Sequence, residues 1–256
     1  MNQSTFEAAA PALRLQGVGR RFGALQAVAD VDLEVPQGER RAILGPNGAG
    51  KTTLFNVVTG DYPVSAGTVS LFGEDVTHLS PQLRTRRGLG RTYQTVLLFG
   101  GLSVEDNLYL ATRGVGGGHF SIIRPGARDR DRARAIDLAE TIGLAGVTGR
   151  LVSQLAHGQL RQLELGMALA SEPRLLMLDE PAAGLSPGER QSLSRLLAGL
   201  PRSITVVLIE HDMDVALAAA DRVTVMHQGR VIADGTPGEI SADATVQSIY
   251  LGHGRG

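Results

Sequence analysis

Eight consecutive residues, Gly45, Pro46, Asn47, Gly48, Ala49, Gly50, Lys51 and Thr52, match the pattern G-x-x-x-x-G-K-[ST], and Thr53 follows them. The chemistry that fits this run is capture of phosphate. Its glycines let backbone N–H groups turn inward onto phosphate oxygens, and the helix that follows points its positive end at the anion. In such a loop Lys51 neutralises the β and γ phosphates of a nucleotide, and Thr52 offers a hydroxyl to magnesium. Lys51 is also the only lysine among 25 basic residues. A coding bias toward arginine is the bland cause. The compact ammonium nevertheless stands where a point charge on phosphate is useful.

A second group lies at residues 175–180, where an apolar run ends in Asp179 and Glu180. Carboxylates at the end of a strand lie at the sheet edge where ligands bind. Asp179 is placed to hold magnesium, directly or through water, and Glu180 to orient and polarise an attacking water as a general base. The alternative reading is a strand end followed by helix-capping acids. Upstream, Leu155, Ala156, His157, Gly158 and Gln159 open a helical stretch that continues through Leu165. Taken without context, that segment is a helix start.

These groups need elements to hold them. After a loose lead over residues 1–11, the stretches 13–18 and 31–35 alternate apolar and polar, as half-buried strands of an antiparallel layer do. Residues 41–44 run as a strand into the glycine-rich turn, and a helix is expected from Lys51. Residues 102–165 read as helical, interrupted over 113–130 by a glycine- and arginine-rich stretch. Short apolar strands at 175–178, 204–209 and 222–226 then alternate with helical segments, the pattern of a parallel α/β sheet. The ending, 235–256, reads as a small tail.

Composition narrows the function class. A chain of 256 residues with 43% hydrophobic residues has material for one sizeable core and a subdomain. Its net charge of -1 provides no basic field to gather DNA or RNA, so no nucleic-acid partner is expected. No apolar run reaches the roughly 18 residues of a membrane span, and the first 11 residues lack a secretory pattern, so a cytoplasmic location is expected. With no cysteine, only oxygen and nitrogen ligands remain for a metal, which suits magnesium.

The order of these pieces, phosphate loop, then residues 155–159, then the acidic strand end, resembles the ABC ATPase family. The resemblance spans residues 13–252. It implies a P-loop NTPase (RecA-like) ABC nucleotide-binding domain over residues 12–235, with an N-terminal antiparallel β subdomain, a helical subdomain inserted at about 96–165, and a C-terminal tail at 236–256. Residues 155–159 become the signature segment, usually read as L-S-G-G-Q, which contacts the ATP held by a partner subunit. Gln94 becomes the glutamine that senses magnesium and the γ phosphate, His211 the switch histidine that positions Glu180, and Phe22 the aromatic that stacks on adenine, with core packing as the alternative for Phe22. Gly184, Leu185 and Ser186 match the loop that crosses the dimer interface, the D-loop.

The family resemblance further implies head-to-tail pairing with a second ABC ATPase, ATP and magnesium as ligands, and partner permeases in the membrane. The chain is then expected at the cytoplasmic face of the inner membrane, with a solute-binding protein as an indirect partner. One departure is notable: Ala156 replaces the usual serine, and His157 the first glycine, of the signature. Loss of one charge-assisted hydrogen bond is expected to weaken the clamp by roughly 1.5 to 3 kcal/mol unless other donors compensate. Residues 88–94, 98–107, 183–187 and 249–252, and an insertion at 120–130, are similar to the subunits of branched-chain amino-acid importers. The ATPase of lipopolysaccharide export and a soluble ABC ATPase of the iron-sulfur assembly type stay open as alternatives, and a P-loop kinase explains neither residues 155–159 nor His211. The apolar stretch 96–102 reads either as a groove for a permease helix or as subdomain core.

Overall fold

Period-2 burial builds the first layer. β1 (Leu13–Phe22) and β2 (Leu25–Val35) form an antiparallel hairpin in which Leu13, Leu15, Val28 and Val31 turn inward while their neighbours face water. The hairpin is longer than its clearest alternation because exposed Leu25 and Arg21 continue the pairing without continuing the pattern. The computed structural model describes residues 9–92, 98–115 and 130–251. After β3 (Arg40–Leu44) and α1 (Lys51–Thr59), β4 (Ala66–Leu71) and β5 (Glu74–Asp75) complete a four-stranded antiparallel sheet of order β2-β1-β4-β5.

The second sheet has six strands in the order β10-β9-β3-β8-β7-β6, with β6 (Leu89–Arg91), β7 (Leu175–Asp179), β8 (Thr205–Glu210), β9 (Arg222–His227) and β10 (Arg230–Gly235). All its pairings are parallel except the β9–β10 hairpin at one edge. β3, β7 and β8 are buried throughout, as strands covered on both faces must be. Their side chains divide between two cores. Ile43, Leu175, Met177, Val207 and Ile209 pack with the antiparallel sheet and α1, while Ala42, Leu44, Leu176, Leu178 and Leu208 face the remaining helices.

α1 ends at a left-handed Gly60, and the short helix α2 (Pro81–Thr85), which follows β5, brings Arg84 back to that end. Arg84 is 1% exposed, and its guanidinium donates to the carbonyls of Val57 and Val58 at 2.8 and 2.6 Å. A buried cation is costly, but here it satisfies the last carbonyls of α1 and complements the negative end of that helix. The opposite, positive end of α1 points from Lys51 toward the glycine-rich loop.

The helical portion holds α3 (Val104–Val115), α4 (Arg130–Thr141) and α5 (His157–Leu169), and α6 (Pro187–Gly199) and α7 (Met213–Ala219) follow in the α/β part. The ending expected as a small tail carries α8 (Pro237–Ala242) and α9 (Ala244–Leu251), with Ile240 and Val246 buried in the main core. Its short length concealed the helix starts: Thr236 and Glu239 form a reciprocal cap, with Pro237 at the first helical position. Residues 1–8, most of the stretch 113–130 and the last residues of the ending lie outside the described residues.

Candidate active site at the strand ends

Parallel strands bring their C-terminal ends to one edge, and that edge collects most of the residues singled out in the sequence. β3 feeds the loop Gly45 to Gly50, β7 delivers Asp179 and Glu180, β8 delivers Glu210 and His211, and β9 leads to Gln228 and Gly229. Since β3 pairs with both β8 and β9, and β8 pairs with β7, these ends are neighbours. A cavity of about 500 Å³ opens there, lined by Asn47, Gly48, Ala49, Gly50, Lys51, Thr52, Thr53 and Glu180, together with Leu25, Gln26, Ala27, Gln228 and Gly229.

The loop keeps its shape through close backbone contacts. Gly50 holds φ 99, and a methyl group added there would collide with the Ala27 carbonyl and come 3.3 Å from the Gly229 Cα, so only glycine fits. Gly45 is closed off in the same way by the Met226 carbonyl. Hydrogen bonds from Gly229 N–H to the Ala49 carbonyl (2.9 Å) and from Ala29 N–H to the Gly229 carbonyl (2.8 Å) join the loop, the β9–β10 turn and β2. Lys51 is 5% exposed, and its Nζ donates to the carbonyls of Gly45 (2.7 Å) and Pro46 (3.2 Å). Burial lowers its pKa, and the carboxylates of Glu180, Asp179 and Glu210 oppose that shift.

Asp179 is 9% exposed and its N–H donates to the Thr92 hydroxyl at 3.4 Å. Glu180 adopts a left-handed φ of 46°, which turns the chain sharply after β7, and its N–H donates to the Ile209 carbonyl at 2.9 Å. His211 Nδ1 lies 3.6 Å from Glu180 Oε1. Asp212 caps α7 by accepting the Val215 N–H at 3.2 Å and pairs with Arg190 of α6 at 2.6 Å, which anchors the chain directly beyond His211. The hydroxyl of Thr52 and the carboxylate of Asp179 are hard oxygen donors that fit a magnesium ion.

Other expected residues stand apart from this cluster. Phe22 is 39% exposed, so it is not a core residue. Its ring meets Tyr62 edge to face at 5.4 Å and has the Arg20 guanidinium 4.4 Å above it, but it does not line the cavity. Exposed Leu25 and Gln26 line it instead, with half-buried Ala27. Gln94 lies outside the described residues.

The signature segment forms a separate surface. Leu155 precedes α5, Ala156 is its N-cap without a side-chain acceptor, and only the reciprocal bond is made, from Ala156 N–H to Gln159 Oε1 at 3.1 Å. Gly158 N–H donates to Glu189 Oε1 at 3.1 Å, while the other Glu189 oxygen accepts from Ser186 N–H (2.9 Å) and Oγ (2.7 Å). These bonds hold the Glu189 carboxyl below the usual carboxylate range, first through Ser186 and then through Gly158. His157 lies against Gly184, where an added methyl group would come 3.0 Å from its Nε2. Leu185 is buried and Ser186 caps α6. The signature and the segment 184–186 are therefore one packed unit.

Sequence reasoning missed Leu25, Gln26, Ala27, Gln228, Gly229, Glu189 and Glu210. Only Gln228-Gly229 left a local signal, a turn pair between two strands. Glu210 is fully buried, and burial pushes its pKa up to about 7.

The fold and this edge define an ATP-binding cassette: the chain belongs to the ABC transporter family, whose model matches residues 28–183, and such cassettes are transport-coupled ATPases. A second model, described as branched-chain amino acid ATP-binding cassette transporter, matches residues 230–255. The chain is 41% identical to the high-affinity branched-chain amino acid transport ATP-binding protein LivG of Salmonella typhimurium, over 94% of this chain and 98% of that protein. It is 39% identical to BraF of Pseudomonas aeruginosa, of the same description, with the same coverage. Among solved structures, the ADP conformation of MJ1267, an ATP-binding cassette of an ABC transporter, aligns with a TM-score of 0.85 at 30% identity, covering 94% of this chain and 99% of that one.

Proposed function

We propose that this ATPase drives uptake of branched-chain amino acids, or of a similar small polar solute, through partner permeases, from a peripheral position at the cytoplasmic face of the inner membrane. What supports the solute class is the match of residues 230–255, together with relatives of nearly full length whose described substrate is that class. No helix among the described residues is long and apolar enough to cross a membrane, so the path for solute belongs to other chains. A solute-binding protein then acts through those permeases.

In this reading the loop Gly45 to Gly50 wraps the phosphates, Lys51 exchanges its two carbonyl contacts for β and γ phosphate oxygens, and Thr53 lines the same cavity. Thr52 and Asp179, with Gln94, would hold magnesium, which when bound supplies charge neutralisation on the phosphates. Glu180 takes the proton of the attacking water, and His211 steadies it across the 3.6 Å gap. The single observation that carries hydrolysis is that Lys51, Thr52 and Glu180 share one cavity. Adenine rests against the wall made by Leu25, Gln26 and Ala27, with Phe22 outside that lining. Residues 155–159, with Gly184, Leu185 and Ser186, face the nucleotide of a second ATPase subunit.

Permease contact falls to the region around Phe99, which is 52% exposed. Buried Asn107 accepts the Phe99 N–H at 2.9 Å and donates to its carbonyl at 3.2 Å, which fixes the turn that presents the ring. Leu98 packs against the core instead. Deleting the chain should abolish high-affinity uptake of labelled leucine by cells that carry it, and retained uptake would sink the solute assignment. Phe99→Asp should release the ATPase from detergent-solubilised permease, and undiminished co-purification would refute the docking site.

A further inference from the structure

Glu210 ends β8 with a fully buried side chain that the mechanism above leaves without a task. Its Oε1 accepts the N–H of Ala182 at 3.2 Å, and the His211 backbone N–H also favours the ionised carboxyl. Its second oxygen, also buried, has no hydrogen-bond partner among the described residues. A carboxyl in this state is unfavourable to bury, and an apolar residue of similar size would avoid that cost. Its position is informative. Glu180 N–H donates to Ile209, the residue before Glu210, and Ala183 N–H donates to the Glu180 carbonyl at 3.1 Å. The turn over residues 180–183 is therefore bound to the last two residues of β8, once by backbone and once by Glu210. That turn carries Glu180 at a φ of 46°, a conformation that a residue with a side chain keeps only when its surroundings hold it. His211 follows Glu210 directly.

We propose that Glu210 is a positioning residue for ATP hydrolysis: its buried carboxyl ties the turn bearing Glu180 to the strand end bearing His211, and so sets the spacing of those two side chains. The inference rests on the roles given above to Glu180 and His211. Losing the tie frees residues 180–183 to relax, which opens the 3.6 Å approach and misaligns the water that Glu180 addresses. Phosphate binding, built on the loop after β3, is left in place.

The test uses the full chain assembled with its permeases in nanodiscs, with ATP turnover, KM for ATP and affinity for a fluorescent ATP analogue measured together. Glu210→Leu should lower kcat about tenfold, with KM and analogue affinity within about twofold of the parent. Glu210→Gln keeps an acceptor oxygen at the same reach and should hold kcat within about threefold. Glu210→Asp withdraws the carboxyl by one methylene and should behave like the leucine variant. Parental kcat in both the leucine and aspartate variants would overturn the proposal, as would a glutamine variant as slow as leucine, or a raised KM with kcat retained. Where Glu210→Leu fails to assemble, the other pair decides: aspartate slower than glutamine supports the tie, and the reverse order refutes it. Glu180→Gln measured alongside separates the two claims. If that variant still turns over normally, the base assignment fails and Glu210 has nothing to position; if it is dead while Glu210→Leu is unaffected, only the present proposal falls.

Discussion

The loop before α1 and the signature at the start of α5 are both glycine-bearing helix starts, and in the proposed mechanism both offer backbone N–H groups to phosphate, yet they are built in different ways. The first is walled by other elements: Gly45 is buried, Lys51 is 5% exposed, and residues from β2 and the β9–β10 turn line a cavity of about 500 Å³. The second is smaller and carries no cation in its lining but Arg161: Ala156 and His157 are exposed, the neighbouring hollow holds about 210 Å³, and the Gly158 N–H is already bonded to Glu189. A half-site with its own cation can keep a nucleotide alone. In the proposed mechanism, a half-site whose donor is occupied by an internal carboxylate contributes only when a neighbour's phosphate is pressed against it. Binding and clamping are thus separate properties of one chain.

Substitutions can break that separation. The largest effect is expected from Glu180→Gln, which should slow turnover by about 10²- to 10⁴-fold while ATP stays bound, as checked by single-turnover kinetics beside nucleotide titration. Lys51→Ala should weaken nucleotide affinity by about 10- to 100-fold, read by calorimetry, because two charge-assisted bonds to phosphate are lost. If it instead weakened only dimer formation, the phosphate-loop half-site would not be self-sufficient. On the signature side, Ala156→Ser supplies a cap for α5 and a donor for phosphate, and should tighten ATP-driven dimerisation by up to about tenfold in analytical ultracentrifugation. Unchanged dimerisation and turnover would show that the missing hydroxyl has no consequence. Glu189→Gln retains an acceptor for Ser186 while removing a negative charge beside Gly158, so dimerisation should improve on the order of two- to fivefold, the scale of an exposed charge interaction. A weaker dimer would mean that the carboxylate braces the signature rather than competing at it.

The same contrast explains what the sequence disclosed. The phosphate loop was legible because its requirements are local: glycines at fixed spacing, a lysine, a threonine, then a helix. The buried strands over 175–178 and 204–209 were legible because an uninterrupted apolar run has few other uses. Phe22 was placed near the base by family likeness, whereas the cavity wall is made by Leu25, Gln26 and Ala27, three unremarkable residues whose place is fixed only when β2 packs beside the loop. Glu210 was invisible for a related reason. An acid before a histidine looks like any polar loop residue until β8 is seen to carry it fully into the interior. Likewise nothing local marks Glu189 in the sequence, and only tertiary packing brings it to Gly158. Strands β4 and β5 were missed because they are short and mostly exposed.

Arginine serves every other basic position, so the sole side-chain amine of the chain sits inside its nucleotide cavity. Burial lowers the pKa of that amine, which raises the share of reactive free base near neutral pH, while its 5% exposure restricts access to small reagents. A small acylating reagent should therefore mark Lys51 alone among the side chains as an amine, and bound ATP should slow that labelling, as read by mass spectrometry.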